Sequence, residues 1–256
     1  MSDNRERWAG RNTDKDSLRR RVWGELESRG VGIEPIWSAI SNYIGAEIAA
    51  EKLASLPFWK TAKVVKCNPD PPQIPVRLKA LQDGKLLYTP VPELVLGHPF
   101  LLLDPEELKK KGVPFEVAAV SKGAMEHGKP VQFSEMLPMD VLVVGSVAVT
   151  RAGGRTGKGG GFADLELGIF RELGTISPGA PLVTTVHDVQ VVADQEILMQ
   201  EHDSPLDWIV TPSEIIETRT KYSTPAGISW SQVQPDQFED IPFLKDLAAR
   251  LQAAQG

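Results

Sequence analysis

The sequence predicts an α/β fold: a mostly parallel sheet with helices on both of its faces. Two observations carry this. Short, continuously apolar runs such as "AKVVKC", "DVLVVGSVAV", "PLVTTV" and "DWIVT" read as strands buried on both faces, and helix-period segments separate them. A glycine-rich loop also stands between a strand and a helix, where open α/β sheets bind their ligands.

Each element has a local warrant. Thr13 or Asp14 is a plausible cap for a first helix that carries Leu18, Val22 and Leu26 and stops at Gly30. "SAISNYIGAEIAAEKLASL" places Ile40, Ile44 and Ile48 at four-residue spacing and reads as a second helix, and "TAKVVKC" follows as a strand closed by "NPDPP". "PVRLKALQDG" reads as a helix, "KLLYTPV" as a strand, "DPEELKKKG" as a short helix and "DVLVVGSVAV" as one apolar strand. A helix from Ala163 to about Leu173, the strands "PLVTTV" and "DWIVT", and a helix from Pro212 complete the alternation. Residues 1–222 form the expected domain. Residues 223–256 are expected to be an extension that begins polar and ends in a helix suited to docking or partner contact.

Composition narrows the function. A chain of 256 residues, 41% hydrophobic, can bury a substantial core. Its formal charge of −6, with no basic patch on a helix, argues against a nucleic-acid partner. The longest apolar runs fall far short of a membrane span and the N-terminus lacks a signal-peptide core, so the expectation is a cytoplasmic protein without a membrane partner. The oligomeric state does not follow from these residues. Cys67 ends an apolar strand and reads as a buried structural thiol. His187, ending a strand beside Asp188, reads as a satisfied structural residue. Trp8, Trp23, Trp37, Trp59, Trp208 and Trp230 are expected to pack or to line a cleft.

The chemistry concentrates in "GGRTGKGGGFADLELG", residues 153–168, where six glycines and two cations occupy nine positions. Glycines allow positive φ and close backbone approach, N–H groups can converge on an anion, and the next helix adds the positive end of its dipole. Arg151, Arg155 and Lys158 supply charge, so the loop suits phosphate. It is neither of the two common glycine fingerprints. Gly157-Lys158 is followed by Gly159 rather than a hydroxyl residue, with Ala152 at the leading glycine, and Phe162 stands where a dinucleotide fold needs its third glycine.

Taken together, the segments resemble the 5-formyltetrahydrofolate cyclo-ligases, also called methenyltetrahydrofolate synthetases. The family's nucleotide loop, approximately Gly-x-Arg-Leu-Gly-x-Gly-x-Gly-Tyr-Tyr-Asp, is matched at Gly153, Arg155, Gly157, Gly159, Gly161 and Asp164. Its N-terminal Lys-x-x-Leu-Arg matches Lys15, Leu18 and Arg19, "DGKLLYTPV" resembles its Gly-Lys strand, and "HDSPLDWIVTPSEI" its C-terminal signature. The four pieces stand in the family's order from about residue 15 to 217.

The resemblance implies a three-layer α/β/α sandwich similar to the sugar-phosphate isomerase and CoA-transferase group. It also implies ATP- and Mg²⁺-dependent closure of 5-formyltetrahydrofolate to 5,10-methenyltetrahydrofolate, with a reduced folate or related small molecule as partner. By the same likeness Lys15, Arg19, Gly153, Gly154, Arg155, Gly157, Lys158, Gly159, Gly160, Gly161 and Phe162 would bind ATP, with Arg155 and Lys158 as the catalytic cations. Asp70 and Phe162 would meet the folate, and Asp164 and Asp203 would hold Mg²⁺. From the residues alone, Asp164 equally suits the dipole of a first helical turn, and Lys15 with Arg19 a solvated helix face.

The departures are specific. Phe162-Ala163 replaces the family's tyrosine pair, Thr156 its leucine and Gly160 its lysine, so the ATP side is better kept than the folate side. The segment from Ser41 to Leu81 is similar to the divergent, cyclo-ligase-like branch that includes the methenyltetrahydrofolate synthetase domain-containing proteins. That likeness implies a link to thiamin metabolism and does not require folate ring closure. Three readings therefore stand: a folate cyclo-ligase, an ATP-dependent enzyme of the same fold on another small substrate, and a non-catalytic folate- or nucleotide-binding protein.

Overall fold

A computed structural model describes residue 10 and residues 13–91, 94 and 98–254; Trp8 lies outside them. Helix α1 (Thr13–Ser28) leads to the short strands β1 (Gly32–Ile33) and β2 (Asn42–Tyr43), which pair antiparallel, then α2 (Ala46–Ser55) and α3 (Pro57–Thr61). Strand β3 (Val64–Cys67), α4 (Ile74–Gln82), β4 (Leu86–Pro90) and β5 (Phe100–Leu103) follow. Three short helices come next, α5 (Pro105–Lys110), α6 (Phe115–Ala118) and α7 (Ser121–His127), and then strand β6 (Lys129–Val131). The second half runs β7 (Val141–Val143), β8 (Ala148–Thr150), β9 (Arg155–Thr156), α8 (Phe162–Glu172), β10 (Leu182–Thr185) and β11 (Val191–Val192). Strands β12 (Trp208–Val210) and β13 (Ile215–Glu217) and helices α9 (Pro235–Asp240) and α10 (Pro242–Ala254) close the described chain.

The central sheet has the order β13-β12-β10-β7-β3-β4-β5-β6. Its five middle strands are parallel, and β13, β5 and β6 are antiparallel additions at the two edges. A second sheet, β11-β8-β9, stands beside it. Strand alternation sorts the core into two layers. Val65, Cys67, Val141 and Val143 pack with Ala49 and Leu53 of α2 and Val76 and Ala80 of α4. On the opposite face, Val64, Leu142 and Leu182 pack with Leu165, Ile169 and Phe170 of α8 and Leu244 and Leu247 of α10. Helices thus cover both faces, the expected α/β/α sandwich. Ile241, Leu244 and Leu247 are buried in this second layer. No helix among the described residues is long and apolar enough to cross a membrane.

Several local expectations are corrected. The isoleucine spacing does not mark a helix face: Ile44 is 59% and Ile48 48% exposed, whereas Ala46, Ala49, Ala50 and Leu53 are buried. The helix starts only after Gly45, whose φ of 93° breaks the chain direction, because residues 42–43 pair with β1. "DVLVVGSVAV" is two strands in two sheets, divided around Gly145 and Ser146. No helix follows Pro212. Thr211 to Glu214 form a turn, closed by Thr211 N–H to the Glu214 carbonyl at 2.9 Å, and the chain returns as β13 with Ile216 buried. The other predicted helices and strands fall within about three residues of their expected places, whereas α3, β5, α6, α7, β6 and β11 had no counterpart in the sequence reading. Cys67 is a free buried thiol whose pKa burial pushes up to about 11, which suits packing rather than nucleophilic work.

Candidate functional site

A cleft of about 400 Å³ opens at the carboxyl ends of β3, β4 and β7, where Asn68, Asp70, Val91 and Gly145 meet the loop 157–161. The chain leaves β3 toward β4 on one side and β7 toward β10 on the other, so the cleft sits at the topological switch point of the sheet. Gly145 makes the floor possible. A Cβ there would stand 2.9 Å from Asp70 Oδ2 and 3.0 Å from Ile40 Cγ2.

Cations reach the cleft from three separate segments. Lys15 and Arg19 lie one turn apart on α1, on the face that also buries Leu18, Val22 and Leu26, and they are only 7% and 5% exposed. They are therefore not a solvated face. Lys15 Nζ pairs with Asp203, while Arg19 binds Asp16 Oδ1 through Nη1 at 2.6 Å and donates from Nε to the Gly157 carbonyl at 2.7 Å. Burial lowers the Arg19 pKa; Asp16 and Asp203 oppose that, and the nearby positive charge of Arg155 adds to it. Arg155, on β9, is 4% exposed. It donates from Nη1 to the Gly145 carbonyl at 3.1 Å and pairs through Nη2 with Asp164 Oδ2 at 2.5 Å. Lys158 lines the cleft with no ion-pair partner among the described residues.

The loop itself carries the backbone that glycine makes accessible, with φ of 111° at Gly159 and 73° at Gly161, the residue that caps α8. Phe162 and Ala163 open that helix at the cleft, and Phe162 also packs on the core. Asp164 lies in the first turn of α8, and its carboxylate faces both Arg155 and the Ser204 N–H, which it accepts at 2.9 Å. Burial raises its pKa, but the charge of Arg155 and these hydrogen bonds outweigh that and hold it below the usual carboxylate range. Asp203 accepts the Gln200 N–H at 2.8 Å in addition to Lys15. Gly153 and Gly154 lie apart from the cleft lining. They form the β8–β9 turn, where a Cβ on Gly153 would meet the Leu206 carbonyl at 2.7 Å.

Among the described residues no three His, Cys, Asp or Glu side chains cluster as a metal cage. Asp164 and Asp203 both line the cleft, each already engaged by a cation. They suit Mg²⁺ only as part of a shell completed by phosphate oxygens and water.

Residues 11–212 match the model of the 5-formyltetrahydrofolate cyclo-ligase family. The chain belongs to that family. It is 37% identical over 242 residues to a methenyltetrahydrofolate synthase domain-containing protein of Homo sapiens, covering 94% of this chain and 63% of that protein. It is likewise 37% identical over 235 residues to the corresponding protein of Bos taurus, covering 91% of this chain and 61% of that one. The chain thus spans less than two thirds of the length of these relatives. Among solved structures it is similar to 5,10-methenyltetrahydrofolate synthetase of Aquifex aeolicus, with a TM-score of 0.50 and 22% identity over 82% of this chain and 95% of that one, a likeness of fold.

This member of the cyclo-ligase family has a buried ion pair behind the cleft lining, reached through Glu166, that sequence reasoning missed. Lys66 and Glu166 form an ion pair at 2.5 Å with side chains 0% and 5% exposed, and Lys66 also binds Asn68. Burial raises the Glu166 pKa against the opposing charge of Lys66, with Asp70 adding to the rise. The signal was one charged residue in each of two otherwise apolar elements, "VVKC" and "LELGIF". The cleft wall formed by residues 227–237 was missed as well. None of the five described tryptophans lines the cleft; Trp59 is buried with its indole N–H on Asp83, and Trp23 stacks near Trp37. His187 accepts the Val189 N–H at Nδ1, a capping role.

Proposed function

We propose that the cleft binds Mg²⁺-ATP and that the chain catalyses closure of 5-formyltetrahydrofolate to 5,10-methenyltetrahydrofolate, or a close variant of that reaction. The observation that carries this is convergence: Lys15 and Arg19 from α1, Arg155 from β9 and Lys158 from the glycine loop all border one cleft. Lys15, Arg19 and Arg155 are paired with Asp203, Asp16 and Asp164, and beside Lys158 and the positive-φ glycine loop these cations suit a triphosphate whose Mg²⁺ would take over the carboxylates. Family membership selects the reaction.

In that reaction the formyl oxygen on N5 attacks the γ-phosphorus and ADP leaves. N10 then adds to the phosphorylated carbon and gives up its proton to solvent, and the C–O bond breaks as phosphate departs, leaving the closed methenyl ring. Mg²⁺, when bound by Asp164 and Asp203 with phosphate oxygens and water, neutralises charge on the transferring group. The work left to the protein is positional and electrostatic. Arg155, fixed from both ends by Gly145 and Asp164, presents a guanidinium that needs no reorganisation as charge develops. Lys158 and the loop amides hold the remaining oxygens, and Asp70 with Phe162 borders the space for the second substrate.

A second reading is favoured by Phe162, Ala163 and the Lys66–Glu166 pair: the same nucleotide chemistry on another small N-formyl or amide compound. A spectrophotometric assay of methenyltetrahydrofolate formation with Mg²⁺-ATP, beside a no-ATP control, decides. ATP-dependent product is expected. ATP bound without product moves the function to the second reading if another compound drives ADP release, and to a binding protein if none does.

A further inference from the structure

The cleft is closed by a segment that lies beyond residues 11–212. Residues 227–237 run across α8 and form one wall of the cleft, and Ile241, with Leu244 and Leu247 of α10, then anchors them in the core. The crossing is close. A Cβ on Gly168 would stand 3.1 Å from the Gly227 carbonyl, a Cβ on Gly227 would overlap Glu172 Oε1, and the Ile228 N–H donates to that same Oε1 at 3.1 Å.

The segment ends on the glycine loop. Gln237 is 3% exposed and donates from Nε2 to the Gly160 carbonyl at 2.7 Å. Its Oε1 accepts the Gln234 N–H at 3.0 Å, which holds the amide in register at the start of α9. Gly161 passes so near that a Cβ on it would be 3.3 Å from Gln237 Nε2. A run of glycines loses more conformational freedom on ordering than any other sequence, so a loop of this composition needs an external tether to keep its N–H groups convergent. The Arg19 bond to Gly157 tethers one end, and Gln237 tethers the other.

We propose that residues 227–241 are a strap that sets the order of the glycine loop, with Gln237 as the positioning residue, so that affinity for the nucleotide depends on a segment outside the family-matched region. The consequence for affinity rests on the nucleotide reading above; the effect on loop order does not.

Two variants test it. Gln237→Glu keeps an oxygen for the Gln234 N–H but removes the donor to Gly160, and Gln237→Met removes the donor without adding charge. Hydrogen exchange of the nucleotide-free protein is expected to quicken at residues 157–162 in both, while residues 238–244 keep wild-type rates in Gln237→Glu. The Kd for Mg²⁺-ATP, measured by calorimetry, is expected to rise about tenfold in both, the scale of one lost hydrogen bond. Faster loop exchange in a protein whose wild type binds no Mg²⁺-ATP upholds the strap and refutes the nucleotide reading. Unchanged exchange at 157–162 in both variants overturns the strap whatever the affinities are, and uniform loss of protection throughout the α9–α10 region reduces Gln237 to a structural cap and overturns it too.

Discussion

Replacing Arg155 by methionine separates what this side chain does for the fold from what it does for a ligand. The guanidinium side chain is 4% exposed, and its partner Asp164 is 15% exposed and, among the described residues, keeps the Ser204 N–H as its hydrogen-bond donor once the arginine is gone. Breaking a buried pair by removing one partner costs about 3–5 kcal/mol. Asp164 borders the cleft, so water reaches it and the loss belongs at the lower end, about 3 kcal/mol. For a chain of this size that lowers Tm by roughly 6–12 °C. The double variant Arg155→Met, Asp164→Leu removes both charges, and replacing a buried pair by apolar groups is often close to neutral, so about 2 kcal/mol of the loss should return. Nucleotide affinity should not return with it. A hydrogen bond to a charged group contributes about 1.5–3 kcal/mol, which corresponds to roughly 10- to 150-fold in Kd. Urea denaturation and calorimetry at fixed Mg²⁺ measure the two effects on the same samples. A double variant no more stable than Arg155→Met refutes the buried pair as the source of stability. Wild-type affinity in both variants refutes Arg155 as a phosphate contact.

Two further outcomes are expected. Gly153→Ala forces a φ of 93° on an alanine and drives its Cβ toward the Leu206 carbonyl, so stability should fall by about 2–3 kcal/mol in urea, whereas the Kd for Mg²⁺-ATP should stay unchanged in the folded protein because the residue lies outside the cleft lining; a weakened Kd in a fully folded variant would return Gly153 to the site. Burial disfavours the charged form of His187, Asp188 only partly offsets this, and the folded-state pKa lies below the ordinary value of about 6.5. Below that pH the unfolded chain therefore binds more protons at this position, and stability falls as pH drops from about 6.5 toward the folded-state pKa. His187→Gln should flatten the urea midpoint between pH 7 and 5.5, and an equal or steeper decline would contradict the assignment.

The parts of the fold governed by local rules were legible. Strands β3, β10 and β12 are apolar runs buried on both faces, and α1 shows its buried stripe at Leu18, Val22 and Leu26. What was misread depended on partners remote in sequence. Ile40, Ile44 and Ile48 satisfy a helical period, but pairing of β2 with β1 delays the helix to Ala46 and turns two of the three toward solvent. The segment after Pro212 has helix-compatible composition, yet the open edge of β12 recruits it as β13, with Ile209 opposite Ile216. For the site, the resemblance to the cyclo-ligase motifs brought Lys15, Arg19, Arg155, Lys158, Asp164 and Asp203 into one list, and the cleft they all line is set by the switch point between β3 and β7.

The buried pair behind the cleft lining shows why a list of motif residues understates a site. Lys66 alternates with Val65 and Cys67, so strand parity places it with Val64 on the face that α8 covers. Glu166 follows Asp164 by two residues, so the helical turn that aims Asp164 at Arg155 points Glu166 in a different direction, toward β3. Each charge alone would be costly in an apolar layer, and neither reads as a motif. Together they neutralise one another beside a cleft whose cations Lys15, Arg19 and Arg155 are likewise paired with carboxylates. Desolvation makes such a pair weak evidence for stability, since apolar replacements of similar volume do as well or better. Glu166 lines the cleft together with Asp70, Phe162 and Ala163, which on the proposed reading directs attention to the compound that would share the cleft with a nucleotide. That is also the side where the tyrosine pair expected from the family is absent, so substrate identity should be sought by varying Lys66 and Glu166 together with Phe162 and Ala163 rather than by varying the phosphate loop.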